Sequence, residues 1–126
     1  MKKYLFILIL LTQPLLAQFA PTSSVNVVAA QQHVWDIAIQ LNSAIYKLNT
    51  MKLDWQKDNM TEALTQAKQN GDAVSIPKIE DKLLEIDHRK DLEKQKLDLN
   101  NQLVAAKQQG DQAKVDSVLF QLKSLP

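Results

Sequence analysis

The chain has no cysteine, and among its 126 residues only two are glycine and two are histidine. Without cysteine there is no disulfide staple, no Cys-x-x-Cys-His attachment for haem and no cysteine-borne lipid anchor. With both glycines followed by aspartate, at Gly71-Asp72 and Gly110-Asp111, and spent on helix breaks, none is left for a Gly-x-Ser-x-Gly nucleophile turn. A catalytic triad needs an imidazole converging with a nucleophile and an acid in a cleft. His33 and His88 each sit instead in an amphipathic helical context. These absences argue against an enzyme. Charge of one sign is lacking too: fifteen basic residues stand against fourteen acidic ones. A nearly neutral chain has no electrostatic case for nucleic acid or for an anionic membrane surface.

The one long apolar run is at the start. Lys2 and Lys3 lead into Tyr4–Leu11, with Gln13-Pro14 and then Leu15-Leu16-Ala17 following. A charged region, a short apolar stretch and a small residue at the end have the layout of a secretory signal peptide. The stretch from Tyr4 to Ala17 is too short for a transmembrane helix, which needs about 20 apolar residues. Cleavage is expected after Ala17, placing the protein in the periplasm or outside the cell. Two basic residues leave with that segment, so the mature charge is 13 − 14 = −1. Gln18–Asn26, with a proline, serines and no periodicity, is expected to be an extended leader.

Everything after the leader reads as helix. The expected fold is all-α: a three-helix antiparallel hairpin bundle with a long first helix. Helices are expected at about 27–70, 76–109 and 111–125, broken by the two Gly-Asp pairs acting as left-handed caps. Ser75 is the expected N-cap of the second helix, with Pro77 tolerated in its first turn. Asp58–Thr61 offers a possible break in the first helix, although Ala63, Leu64 and Ala67 continue its pattern, which favours one long helix.

At 100° per residue, the first helix carries two apolar stripes. One holds Val34, Ile37, Ala38, Leu41, Ile45, Leu48 and Trp55. The other, a quarter-turn round, holds Trp35, Tyr46, Leu53 and Met60. Such a helix is expected to pack on two sides. Trp55 is expected in the core, covering a polar gap near Lys90–Leu92. The stripe of Trp35, Tyr46, Leu53 and Met60 is taken as the candidate partner-binding surface. On the second helix, Ile76, Ile79, Leu83 and Ile86 share a face that turns polar at Lys90 and Glu93, then resumes at Leu97 and Val104. An opposite stripe, Leu92, Leu99, Leu103 and Ala106, begins only halfway along. It matches the third helix, whose Val115, Val118, Leu119, Leu122 and Leu125 lie on one side.

The run from Lys78 to Asp98 holds six basic and seven acidic residues. Glu85–Arg89, Arg89–Glu93 and Lys94–Asp98 stand at i,i+4, so the run reads as a solvated face laced with weak pairs. Glu85 and His88 have a Glu-x-x-His spacing, and His33 neighbours Asp36. Di-iron bundles use two such motifs and two further glutamates, all pointing inward. A single copy reads as surface residues, and no cofactor or metal is expected.

Leu64–Asp72 echoes Leu103–Asp111, and the pattern looks like the helix–Gly-Asp–helix hairpin of tetratricopeptide-like repeats. The offset slips from 39 to 36 residues downstream, which points to convergent turn chemistry. The leader and first helix (AQFAPTSSVN…QQHVWDIAIQLNSAIYKLN) are similar in composition to the mature N-terminus of minor-pilus components of conjugative and type IV secretion systems. That similarity implies an accessory role in a cell-envelope assembly. The functional expectation is therefore an exported helical module that binds another protein or itself. A holdase-like chaperone or inhibitor and a metal-binding bundle built on Glu85, His88 and His33 are the alternatives.

Overall fold

The computed structural model describes residues 24–126. The expected signal segment and most of the expected leader lie outside these described residues. Three α-helices account for nearly all of the rest: α1 (Ser24–Gln69), α2 (Ser75–Gln109) and α3 (Gln112–Ser124). No strand occurs among the described residues. Ser24–Asn26, expected to be extended, already belong to α1. At 1.5 Å per residue, α1 is about 69 Å long, α2 about 52 Å and α3 about 20 Å.

No break occurs at Asp58–Thr61. The Thr61 hydroxyl donates to the Lys57 carbonyl at 2.8 Å, and Thr65 does the same to Thr61 at 3.0 Å. Back-bonding of this kind satisfies the hydroxyls within the helix, at a slight cost in helix stability.

Both turns have one construction. Gly71 and Gly110 take left-handed φ values of 64° and 69°. After each, the aspartate N–H reaches back to the helix, Asp72 to Ala67 O and Asp111 to Ala106 O, both at 2.9 Å. The glycine N–H bonds Lys68 O in one turn and Lys107 O in the other. This is the Schellman arrangement, which satisfies orphan carbonyls at a helix end. The same aspartates then start the next helix: Asp72 Oδ1 accepts from the Ser75 N–H, and Asp111 Oδ1 from the Lys114 N–H, each at 3.1 Å. Ser75 is thus not the cap but the first residue of α2; the position before it, Val74, has no capping side chain, and the Ser75 N–H is taken by Asp72. A carboxylate does this better than a hydroxyl, because its charge also meets the positive end of the helix dipole.

The cap carries a pH signature. Donation from the Ser75 hydroxyl and backbone N–H holds the Asp72 carboxyl below its ordinary value of 3.8. A lowered folded-state pKa stabilises above the unfolded value and stops doing so as pH falls through the folded one. The stability gap between the wild type and Asp72→Ala is therefore expected to be constant above pH 3.8 and to narrow below it. Urea titrations across an acid series measure it, and a gap that widens on acidification would contradict the cap.

α2 is the central element, contacting α1 on one side and α3 on the other. Cross-helix pairs set the direction: Gln32 with Gln108, Asn42 with Asn101, Asn49 with Glu93, Lys57 with Asp87 and Lys68 with Glu80. One number rises as the other falls, so α1 and α2 run antiparallel. α3 folds back over the second half of α2, where Leu99, Leu103 and Ala106 meet Val115 and Val118, with Leu119, Leu122 and Leu125 at the margin. A separate cluster of Trp35, Ala38 and Val104 joins α1 to α2. The first half of α2 thus has one neighbour and the second half two.

Candidate functional site

The α1–α2 seam combines apolar and polar layers. Trp35, Ala38, Leu53 and Ala67 are its buried apolar residues on α1, facing Ile86 and Val104 on α2. Between them lie two buried polar positions. Asn42, only 4% exposed, donates from Nδ2 to Asn101 Oδ1 at 3.1 Å. Glu93, 7% exposed, accepts from Asn49 Nδ2 at 2.9 Å and faces Lys96 Nζ at 3.6 Å. A buried polar side chain costs free energy unless bonded, so sliding one helix along the other would orphan both layers. That fixes register, the best-attested role of polar residues in helical interfaces.

Outside these layers, exposed ion pairs cross the seam: Lys90–Asp54 at 2.5 Å, Lys57–Asp87 at 2.7 Å and Lys68–Glu80 at 3.6 Å. Lys90 is held above its ordinary pKa chiefly by the hydrogen bond to Asp54. Such pairs contribute about 0.2–1 kcal/mol each. Of the pairs expected within α2, Glu85–Arg89 forms at 2.5 Å. Glu93, expected opposite Arg89, turns instead to Asn49 and Lys96.

The expected partner-binding stripe is therefore largely internal. Trp35 and Leu53 are buried, while Tyr46 and Met60 are half-buried beside them. Trp55, expected in the core, is 68% exposed. The polar gap at Lys90 is closed by Asp54, not by Trp55. The cause is the polar complement of α2: Asn101 and Glu93 select the face of α1 that offers Asn42 and Asn49.

Turning that face inward leaves the other one out. Ile37, Leu48, Met51 and Trp55 are 46%, 54%, 59% and 68% exposed. With Val27, Ala30, Val34, Leu41 and Ala44 they make a run spaced alternately three and four residues apart: 27, 30, 34, 37, 41, 44, 48, 51, 55. Every position in it is apolar. A 3.5-residue repeat held over four heptads is the signature of a coiled-coil seam. This spacing is present in the sequence, but a 100° wheel spreads it over roughly a third of the circumference and merges it with the neighbouring stripe. Val27, Ala30, Val34 and Leu41 are half-buried and Ala44 is exposed. Asp58, at the next position of the repeat, ends the apolar run.

The chemistry-bearing residues do not converge. Glu85 and His88 are both exposed, and the Glu85 carboxylate is engaged by Arg89. His33 lies on α1 and shares no cluster with them; among the described residues no group of three or more His, Asp or Glu side chains could hold a metal. An open groove of about 520 Å³ runs between α1, α2 and the chain end, with Lys52, Gln56, His88, Arg89, Lys96 and Pro126 among its lining. No helix of the described residues is long and apolar enough to cross a membrane. No protein-family model, curated protein or solved structure matches the chain.

Proposed function

We propose that this is a small exported helical module that works by binding another protein chain, without catalysis, as an accessory component of a cell-envelope or secretion assembly. The observation that carries the reading is the apolar heptad seam exposed along α1. Ile37, Leu48, Met51 and Trp55 all lie more than two-fifths open to solvent on one rigid helix. Burying a Leu, Ile or Met side chain contributes about 1.5–3 kcal/mol, so a helix that exposes four large apolar groups in line is built to be covered. Contiguous exposed apolar surface of this kind marks interaction sites in folded proteins. A rigid helix presenting anchors at heptad spacing also suits helix-to-helix docking, one of the recurrent modes of protein recognition. The near-neutral charge fits a protein partner better than a polyanion. The expected export signal and the pilus-like composition of the leader and first helix supply the envelope setting.

Cross-linking in intact cells tests this. The wild type is expected to give cross-linked species heavier than the chain, and Leu48→Glu is expected to give none at equal abundance and equal helicity. Leu48 is on the open face, so the substitution leaves the bundle intact. A wild type that stays uncross-linked would sink the proposal.

A further inference from the structure

The geometry points to a second copy of this chain as the occupant of the α1 seam, docked antiparallel with residue i of one α1 opposite residue 85 − i of the other. This rests on reading the seam as an interaction surface. The evidence for a second copy is that four layers of the seam complement one another when it is laid antiparallel on itself in this register, with Val27 against Asp58 at the outer edge. In it, Ala30 meets Trp55 of the second copy, Val34 meets Met51, Ile37 meets Leu48 and Leu41 meets Ala44, each pair occurring twice through the two-fold axis. The smallest residue faces the largest, and the other alanine faces a leucine. Alternating large and small side chains across facing helices is what fills such a seam without voids or clashes.

The flanks agree. On the open side of the seam His33, Gln40, Lys47 and Asp54 are all exposed. In the same register His33 falls beside Asp54 of the second copy, and Gln40 beside Lys47. Asp54 uses Oδ1 for Lys90, and a carboxylate has a second oxygen to offer. On the side nearer α2, Gln31 falls beside Lys52, while Ala38 is covered by Trp35 and Val104 of its own chain. No like charges meet. A parallel pair fails on both counts: Lys47 of each copy would face Lys52 of the other, and the layers would stack Trp55 on Trp55 but Ala30 on Ala30 and Ala44 on Ala44. Flanking charges of this kind decide orientation in coiled coils.

The absence of native cysteine makes the test direct. Sedimentation from micromolar to near-millimolar concentration is expected to show the purified protein passing from one chain mass to twice that mass, and Leu48→Glu to remain at one. Under oxidation, the double variant Ile37→Cys, Leu48→Cys is expected to cross-link into covalent dimers, while Ile37→Cys alone does not. In the antiparallel register two copies of residue 37 are 11 residues apart along the axis, about 16 Å, beyond disulfide reach. A dimer that cross-links through Ile37→Cys alone would overturn the antiparallel register. A protein that stays monomeric would overturn the second copy. In that case binding of an apolar dye separates the two readings: dye binding lost in Leu48→Glu leaves the interaction surface standing with another occupant, and no dye binding overturns both.

Discussion

Leu103→Ala is expected to lower the unfolding free energy by about 2–5 kcal/mol and to release α3 from the bundle before the rest unfolds. Leu103 is 2% exposed and sits among Leu99, Ala106, Val115 and Val118, the one cluster that holds α3. α3 has 13 residues, and isolated helices shorter than about 12–15 residues are marginal in water. Its helicity therefore depends on this docking site. A cavity at Leu103 removes contacts from Val115 and Val118 together, and the neighbouring Ala106, already 0% exposed, has only a fixed methyl group and cannot refill it. Single domains are stable by only about 5–15 kcal/mol, so the loss is a large share of the total. Hydrogen exchange checks the order of events. Amides of Val115–Phe120 should lose protection in the variant while those of Ile79–Glu93 keep most of theirs. Equal loss along both helices would mean that the bundle unfolds as one unit and that α3 is not separately held.

Local chemistry made much of this architecture legible in the sequence. Gly71-Asp72 and Gly110-Asp111 end one helix and begin the next with atoms separated by only a few residues, so the helix ends fall within three residues of expectation. α3 was readable because it has a single apolar side, and α2 offers a stripe to match it only in its second half. The facing of α1 was not readable in this way. It carries two apolar faces, and hydrophobic period alone does not say which one turns inward. The decision rests on hydrogen bonds between residues 59 and 44 positions apart, Asn42 to Asn101 and Asn49 to Glu93. On a hydrophobicity scale these asparagines are gaps in a stripe. In the folded chain they are the reason for the choice. The same blind spot hid the exposed seam, because a helix with two apolar faces reads as packed on both.

The two tryptophans separate these faces experimentally. Trp35→Ala is expected to cost about 3–5 kcal/mol, since Trp35 is 8% exposed and its ring closes over Ala38 and Val104 at one end of the α1–α2 seam. Trp55→Ala, 68% exposed in the single chain, is expected to change the stability of the monomer by no more than about 0.5 kcal/mol. Denaturant titrations at concentrations where the chain is monomeric measure both, and comparable losses in the two variants would mean that α1 is turned the other way. Each variant leaves one tryptophan, so emission supplies an independent check. Without Trp55, the spectrum should be that of a buried indole at every concentration. With Trp35 replaced by phenylalanine, which keeps most of the apolar bulk, the remaining Trp55 should emit as a water-exposed indole when dilute. It should then move toward the blue as concentration rises and a second α1 brings Ala30 over its ring. A Trp55 spectrum that ignores concentration while the mass doubles would place the contact elsewhere on the molecule. The tryptophan expected inside and the one expected outside thus exchange roles for one reason: α2 chose the face of α1 that could satisfy its half-buried Asn101 and buried Glu93.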